Sequence, residues 1–284
     1  MEKIIVPIDF SAESICGLKL AIIVANKFRA DVQLVHVMKK QGAFFIAETE
    51  IMVQKVQEQL EKVIAEHRKD LCQDCNFDYI IKRGRVYEEI ASQVEAFNNS
   101  MVICSTHGSS GFSSYFVGSN TYRIVQATQR PVISITSCQY IREIKKIVMP
   151  IDVTKETREK VPLVAKIAKA FDAEVHIVKV TSSTNEGIHN KLRLYSRQIR
   201  NYFDEQGIRY EKSLLVGDNI TEITIDYAKT IDADLIAIMT EQTSSLSNLL
   251  LGSYALQMLN SSPISVLSVT PRELYIVHSF TTTN

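Results

Sequence analysis

The chain has 284 residues, enough for two domains of ordinary size that could each bury a core. Hydrophobic residues make up 45% and charged residues 23%, and Lys plus Arg equals Asp plus Glu at 32 each, so the formal net charge is zero. That composition fits a soluble globular protein and gives no electrostatic reason for nucleic acid or an anionic membrane as partner. Met1-Glu2-Lys3-Ile4-Ile5-Val6-Pro7 lacks a signal-peptide layout, and no apolar run approaches the roughly 20 residues of a membrane span. Five cysteines, an odd number, suit a reducing cytoplasm better than a disulfide framework, so a cytoplasmic location is expected.

Taken in order, residues 4–8 read as a first strand. Ile15, Leu18, Ile22, Ala25 and Phe28 then mark one helix face at steps of three and four. Residues 32–37 read as a second strand. From 48 to about 68, Met52, Val56, Leu60 and Val63 line one face of a second helix. A third strand follows near 77–82, then a helix through Ile90, Val94 and Phe97, then a short apolar strand at 101–104. Next comes a loop rich in glycine and hydroxyl groups, from Ser105 to Ser119, leading into helical spacing over 120–129 and a last strand at 131–135. A strand entering such a loop and then a helix is a place where backbone N–H groups can collect an anion.

The chain then repeats itself. Ile4-Ile5-Val6-Pro7-Ile8-Asp9-Phe10-Ser11 returns as Ile147-Val148-Met149-Pro150-Ile151-Asp152-Val153-Thr154, and Val32-Gln33-Leu34-Val35-His36-Val37 returns as Val175-His176-Ile177-Val178-Lys179-Val180. Gly118-Ser119 is answered by Gly252-Ser253, and Pro131-Val132-Ile133 by Pro263-Ile264-Ser265. Matches in the same order across both halves indicate duplication, with a first domain at 1–142 and a second at 143–284. Ile188, Leu192, Tyr195, Ile199 and Phe203 carry the long helix of the second copy. The tail from Pro271 has no counterpart in the first copy and offers one extra edge strand at 274–277. Strands alternating with helices predict an α/β fold, with parallel pairing, right-handed crossovers and helices on both faces of each sheet. Ligands of such sheets bind at strand carboxyl ends near the reversal of strand order, where Asp9, Val37 and the loop from Ser105 all fall.

These residues resemble the universal stress protein family in its tandem, two-domain form. The family pattern is glycine, two residues, glycine, nine residues, then Gly-Ser or Gly-Thr; here it reads Ser105, Thr106-His107, Gly108, nine residues, Gly118-Ser119. Pro7-Ile8-Asp9-Phe10-Ser11 and Val35-His36-Val37 match as well. The resemblance covers nearly the whole chain and implies two Rossmann-like domains (adenine nucleotide alpha hydrolase-like), each a five-stranded parallel sheet of order 3-2-1-4-5. It also implies an ATP-binding regulatory protein rather than an enzyme, slow ATP hydrolysis apart, with ATP and Mg2+ as the expected ligands. Adenine would lie against Pro7, Ile8 and Val37, with Asp9 near ribose and phosphates; Ser105, Gly108, Gly118, Ser119 and Asn120 would surround the phosphates, and His107 could donate to one. Family domains dimerise, so the two copies are expected to pair within the chain, with a further homodimer open.

Two departures shape that expectation. Ser105 stands where the family has its first glycine, which supplies positive φ or close ligand approach. The second copy reads Met239-Thr240-Glu241-Gln242, without either upstream glycine and with a carboxylate that would repel phosphate, so it is expected not to bind nucleotide. The alternative is therefore a nucleotide-free interaction or scaffold protein whose two copies form a pseudo-dimer. Single residues also carry structural readings. Asp9 can hold ribose or metal, or start the following helix; His107 can be satisfied by backbone, and His36 can simply pack. Ser119 and Ser253 are expected as helix N-caps. Cys72-Gln73-Asp74-Cys75 has no second CxxC to complete a zinc site and lies away from a helix N-terminus that would activate a thiol; Lys39-Lys40 and Lys145-Lys146 read as solvated surface. Adenylation chemistry is not expected, because the first strand is followed neither by His-x-Gly-His nor by a Ser-Gly-Gly loop.

Overall fold

The computed structural model describes residues 1–39, 46–106, 119–240 and 252–271. The chain divides into two compact units, Met1–Ile141 and Arg142–Asn284. The first unit runs β1 (Lys3–Pro7), α1 (Ala12–Phe28), β2 (Asp31–Met38), α2 (Ile46–His67), β3 (Phe77–Arg83), α3 (Val86–Glu95), β4 (Ser100–Ser105), α4 (Ser119–Ala127) and β5 (Val132–Ile135). Every strand pair is parallel: β1 with β2 and β4, β2 with β3, and β4 with β5. The order is therefore 3-2-1-4-5. Right-handed crossovers run toward one edge through α1 and α2 and back toward the other through α3 and α4, which puts the two helix pairs on opposite faces. α3 accordingly packs on α4, while α1 packs on β1, β2, β4 and β5.

The second unit has β6 (Lys146–Ile151), α5 (Val161–Phe171), β7 (Glu174–Thr181), α6 (Glu186–Gln206), β8 (Tyr210–Val216), α7 (Ile220–Thr230), β9 (Leu235–Met239), α8 (Ser253–Ser261) and β10 (Ser265–Val269). Its pairings repeat those of the first unit: β6 with β7 and β9, β7 with β8, β9 with β10, all parallel. Over the first two strands and the helix between them the duplication holds to the residue. Lys3 opposes Asp31 and Lys146 opposes Glu174, each 143 positions further on. Arg29 and Asp172, again 143 apart, both end their helices in the left-handed region at φ 50°. The expected edge strand at 274–277 lies outside the described residues.

The central strands are apolar throughout because helices cover both of their faces. Ile4, Ile5, Val6, Met101, Val102 and Ile103 are fully buried in the first sheet, and Ile147, Val148, Met149, Leu235 and Ile236 in the second. Pro162 falls at the start of α5 and brings no N–H, so that helix begins later than α1 and is preceded by a short 3-10 turn at Glu156–Arg158. Where the second unit begins, Asp234 gathers the chain: its Oδ2 accepts from the Lys145 and Lys146 amides at 2.7 and 2.9 Å, and its Oδ1 pairs with Arg142.

The cysteines depart from expectation. Cys16 in α1 is bonded to Cys138 in the turn after β5, and Cys72 to Cys75, with Cα–Cα distances of 5.5 and 5.4 Å. Cys104 alone is free, and it is buried. The first bridge joins residues 122 positions apart, a proximity created only when β5 returns the chain beside α1.

Candidate functional site

Because β1 lies between β2 and β4, the carboxyl ends of these three strands form one edge at the reversal of strand order. This edge carries Pro7, Ile8 and Asp9 after β1, Val37 near the end of β2, and Ser105 at the end of β4. Pro7, Val37 and Ser105 are half-buried, Ile8 is buried and Asp9 is exposed. Asn120, exposed in the first turn of α4, stands beside them through Thr121, whose hydroxyl donates to the Ser105 carbonyl at 2.7 Å. His107, Gly108 and Gly118 lie outside the described residues, so the segment between Thr106 and Ser119 contributes no geometry.

Two contacts shape the edge, one at His36, read from sequence as packing, and one at a glycine that sequence reasoning passed over. His36 stacks on Phe10 at 5.0 Å between centroids, and its Nδ1 lies 2.8 Å from the Ile8 carbonyl, which fixes the proton on Nδ1 when the ring is neutral. Phe10 itself has φ 65°, a left-handed conformation that costs a bulky residue on the order of 1 kcal/mol or more and is held here by that stacking. The second is at Gly17. A Cβ there would meet the Ser105 nitrogen at 3.4 Å and Cys104 at 3.6 Å, so α1 presses directly on the end of β4.

Asp9 starts the helix. Its Oδ1 accepts from the Ser11 amide at 3.1 Å and the Ser11 hydroxyl at 2.5 Å, and Ser11 in turn caps α1 by accepting from the Ser14 amide at 3.1 Å. The second unit repeats the turn but not the cap: Asp152 Oδ1 accepts from the Thr154 amide and hydroxyl at 2.7 and 2.6 Å, while α5 starts only at Val161. An arrangement present in both copies is accounted for by chain turning.

The expected N-cap at Ser253 is corrected by one position. α8 starts at Ser253, and the cap is Gly252, in extended backbone at ψ 152° with no side-chain hydrogen bond. α4 likewise starts at Ser119. In a Gly-Ser pair the sequence does not say which residue turns, and at 252–253 glycine takes the corner.

The corresponding edge of the second unit differs in chemistry. Position 160, matching Gly17, is a lysine that is 2% exposed, with its amine donating to the Thr157 carbonyl at 2.8 Å. Burial lowers its pKa to about 8, against the attraction of Asp152. Thr240, by contrast, keeps the geometry of Thr106: both are buried, and their amides donate to the Val269 and Ile135 carbonyls at 2.9 and 2.7 Å. Glu241 and Gln242 lie outside the described residues.

No acid–base or nucleophile pair assembles at the first edge among the described residues. The nearest thiol, Cys104, is pushed up to about 12 by burial, which keeps it protonated and unreactive. No group of three or more metal-ligating side chains is present among the described residues. No described helix is long and apolar enough to cross a membrane. The first unit also holds a cleft of about 490 Å3 between α2 and β3, and the second one of about 460 Å3 between α6 and the β7–β8 pair.

Comparison with known proteins matches this architecture. A universal stress protein MJ0531 of Methanocaldococcus jannaschii is 27% identical over 139 residues, 44% of this chain and 81% of that protein. A universal stress protein structure from Archaeoglobus fulgidus superposes with a TM-score of 0.74 at 17% identity, covering 94% of this chain and 98% of that one. A protein of unknown function from Pseudomonas aeruginosa, PA1789, superposes with a TM-score of 0.66 at 17% identity, covering 95% and 93%. At those identities the superpositions speak for the fold alone. The universal stress protein family model matches twice, over residues 1–135 and 143–270. The two matches fall on the two copies already visible as an internal repeat, and the chain belongs to the universal stress protein family as a tandem, two-domain member.

Proposed function

We propose that the chain is a regulatory protein of the universal stress type that binds ATP or a related adenine nucleotide in its first unit, and that it is not an enzyme. The observation that carries this reading is the first edge itself. Half-buried Pro7 and Val37 offer an apolar rest for a base, next to Ser105 and the start of α4 at the reversal of strand order. Strained Phe10 supports it, since the matching Val153 has no positive φ. In this reading the base lies against Pro7, Ile8 and Val37. The phosphates reach Ser105, Asn120 and the segment holding His107, Gly108, Gly118 and Ser119. Mg2+ would neutralise phosphate charge, with Asp9 as the nearby carboxylate. The second unit, with Lys160 in place of Gly17, is left without nucleotide.

The reading includes pairing of the two copies within one chain, a possible further homodimer and a cytoplasmic location. Two disulfides sit uneasily with a reducing compartment, so the thiol state in cells bears on the last of these. A second reading, a nucleotide-free interaction protein, is favoured by Ser105 standing at a glycine position.

Equilibrium dialysis with ATP and Mg2+, together with nucleotide analysis of denatured purified protein, separates the two. One site per chain, weakened by Gly108→Asp and strengthened by Ser105→Gly, supports nucleotide binding. No carried nucleotide and no saturable ATP binding at millimolar concentration removes it.

A further inference from the structure

The cleft of about 460 Å3 in the second unit lies between α6 and the β7–β8 pair, far in character from the edge just described. Its wall carries five cations: Lys179 of β7, Arg193, Arg197 and Arg200 of α6, and Lys212 of β8, while no carboxylate lines it. Steps of four and three place the three arginines on one helix face. Arg193 pairs with Glu186, but Lys179, Arg197, Arg200 and Lys212 form no ion pair among the described residues.

Five cations on a solvated helix face would need no explanation. Three observations separate this cleft from that case. The Lys179 amine is lowered first by burial and then by the charges of Arg193, Lys212 and Arg200, so these groups repel one another across the cleft rather than dispersing into water. The Nε of Arg200 is buried without an acceptor, a donor left unsatisfied. The fold does not require the arrangement either. In the first unit Leu34 opposes Tyr79, and in the second the matching Ile177 opposes Lys212. Tyr79 donates to Glu61 of α2 at 3.1 Å, whereas Lys212 faces Arg200 of α6. A neutral chain has thus concentrated positive charge in one concavity of one copy.

We propose that this cleft is a binding site for a small ligand carrying two or more linked phosphate groups. Its volume lies within the roughly 300–1,000 Å3 of small-molecule sites. Arginine forks match phosphate oxygens in bidentate fashion, and lysine adds compact charge. Several cations spread over three elements favour a chain of linked anions over a single one. This site is separate from the nucleotide reading of the first unit and does not depend on it.

The test is calorimetric titration of the full chain with tripolyphosphate at low salt. Saturable binding is expected, at least tenfold tighter than inorganic phosphate and weakening as salt rises. Arg197→Gln with Lys212→Gln, both exposed positions, should reduce affinity at least tenfold with an unchanged thermal melt, and adding Arg200→Gln should reduce it further. Gly108→Asp in the first unit should leave it unchanged. Absence of saturable binding overturns the proposal. So does equal affinity of wild type and the double variant, equal affinity for inorganic phosphate, or loss in Gly108→Asp with retention in the cleft variants.

Discussion

Replacing Lys160 with methionine measures what an ammonium group costs when buried at the strand ends of the second unit. The side chain is 2% exposed, and burial takes its pKa from 10.5 to about 8. At roughly 1.4 kcal/mol per unit, a drop of that size disfavours the charged form in the folded state by about 3 kcal/mol. The folded pKa lies below the unfolded one, so between them the unfolded chain holds a proton that the folded chain has released. Stability therefore rises with pH across that window; the penalty is complete below about pH 8 and gone above about pH 10.5. Methionine keeps most of the length, removes the charge and forfeits the bond to the Thr157 carbonyl, a loss of about 1–2 kcal/mol. Lys160→Met is thus expected to be about 1–2 kcal/mol more stable than wild type near pH 7, an advantage that shrinks by about 2 kcal/mol near pH 9.5. Urea unfolding of both proteins at the two pH values reads this directly. A stability gap that stays constant with pH refutes a depressed Lys160, and a gap that widens reverses its sign.

Thiol titration of denatured, non-reduced protein should give one thiol per chain, Cys104, and five after reduction; reduction should destabilise the first unit by about 2–4 kcal/mol through loss of the Cys16–Cys138 bridge. Five thiols without reduction would contradict the pairing. Asp9→Ala and Asp152→Ala should each cost about 1 kcal/mol in thermal or urea unfolding, because each carboxylate closes the turn that leaves its strand by accepting from the amide and hydroxyl two positions later. A loss confined to one copy would mean that the shared geometry is not the cause. Gly17→Ala should be neutral or stabilising by up to about 1 kcal/mol, since its Cβ just fits and alanine favours helix, whereas Gly17→Leu should cost about 1–3 kcal/mol by forcing α1 off Ser105. A leucine variant as stable as wild type would show that the contact can open freely.

The fold was legible because two independent signals agreed. Apolar runs of strand length alternate with helical spacing, and the opening strands return 143 positions later, a displacement that reappears in the pairing of the first two strands of each unit and in the left-handed helix ends at Arg29 and Asp172. What escaped was set by distance in space. Nothing near Cys16 indicates Cys138, and nothing near Lys160 indicates burial, since lysine before Val161-Pro162 reads as an ordinary surface residue. The basic cleft was partly readable, as Arg193, Arg197 and Arg200 recur at helical steps, but the lysines completing it come from two other elements.

The duplication also supplies an internal control for the functional site. Asp9 with Ser11 recurs as Asp152 with Thr154, and a helix starts at Ser119 as at Ser253. Such shared features are explained by the need to leave a strand and enter a helix, so they say little about a ligand. The informative positions are those where the copies part: Gly17 against Lys160, Ser105 against Thr240's neighbour Met239, and strained Phe10 against unstrained Val153. These differences lie at the strand ends: Phe10 is strained where Val153 is not, and a buried amine in the second copy stands where the first has no side chain. Divergence concentrated on that edge, within sheets whose registers have stayed identical, is what an asymmetric ligand role would produce. The cations of α6 diverge in the opposite sense, enriching the second copy where the first keeps Glu61 with Tyr79. At these two places the copies diverge in opposite directions, which argues for two sites of different chemistry rather than one site and its remnant.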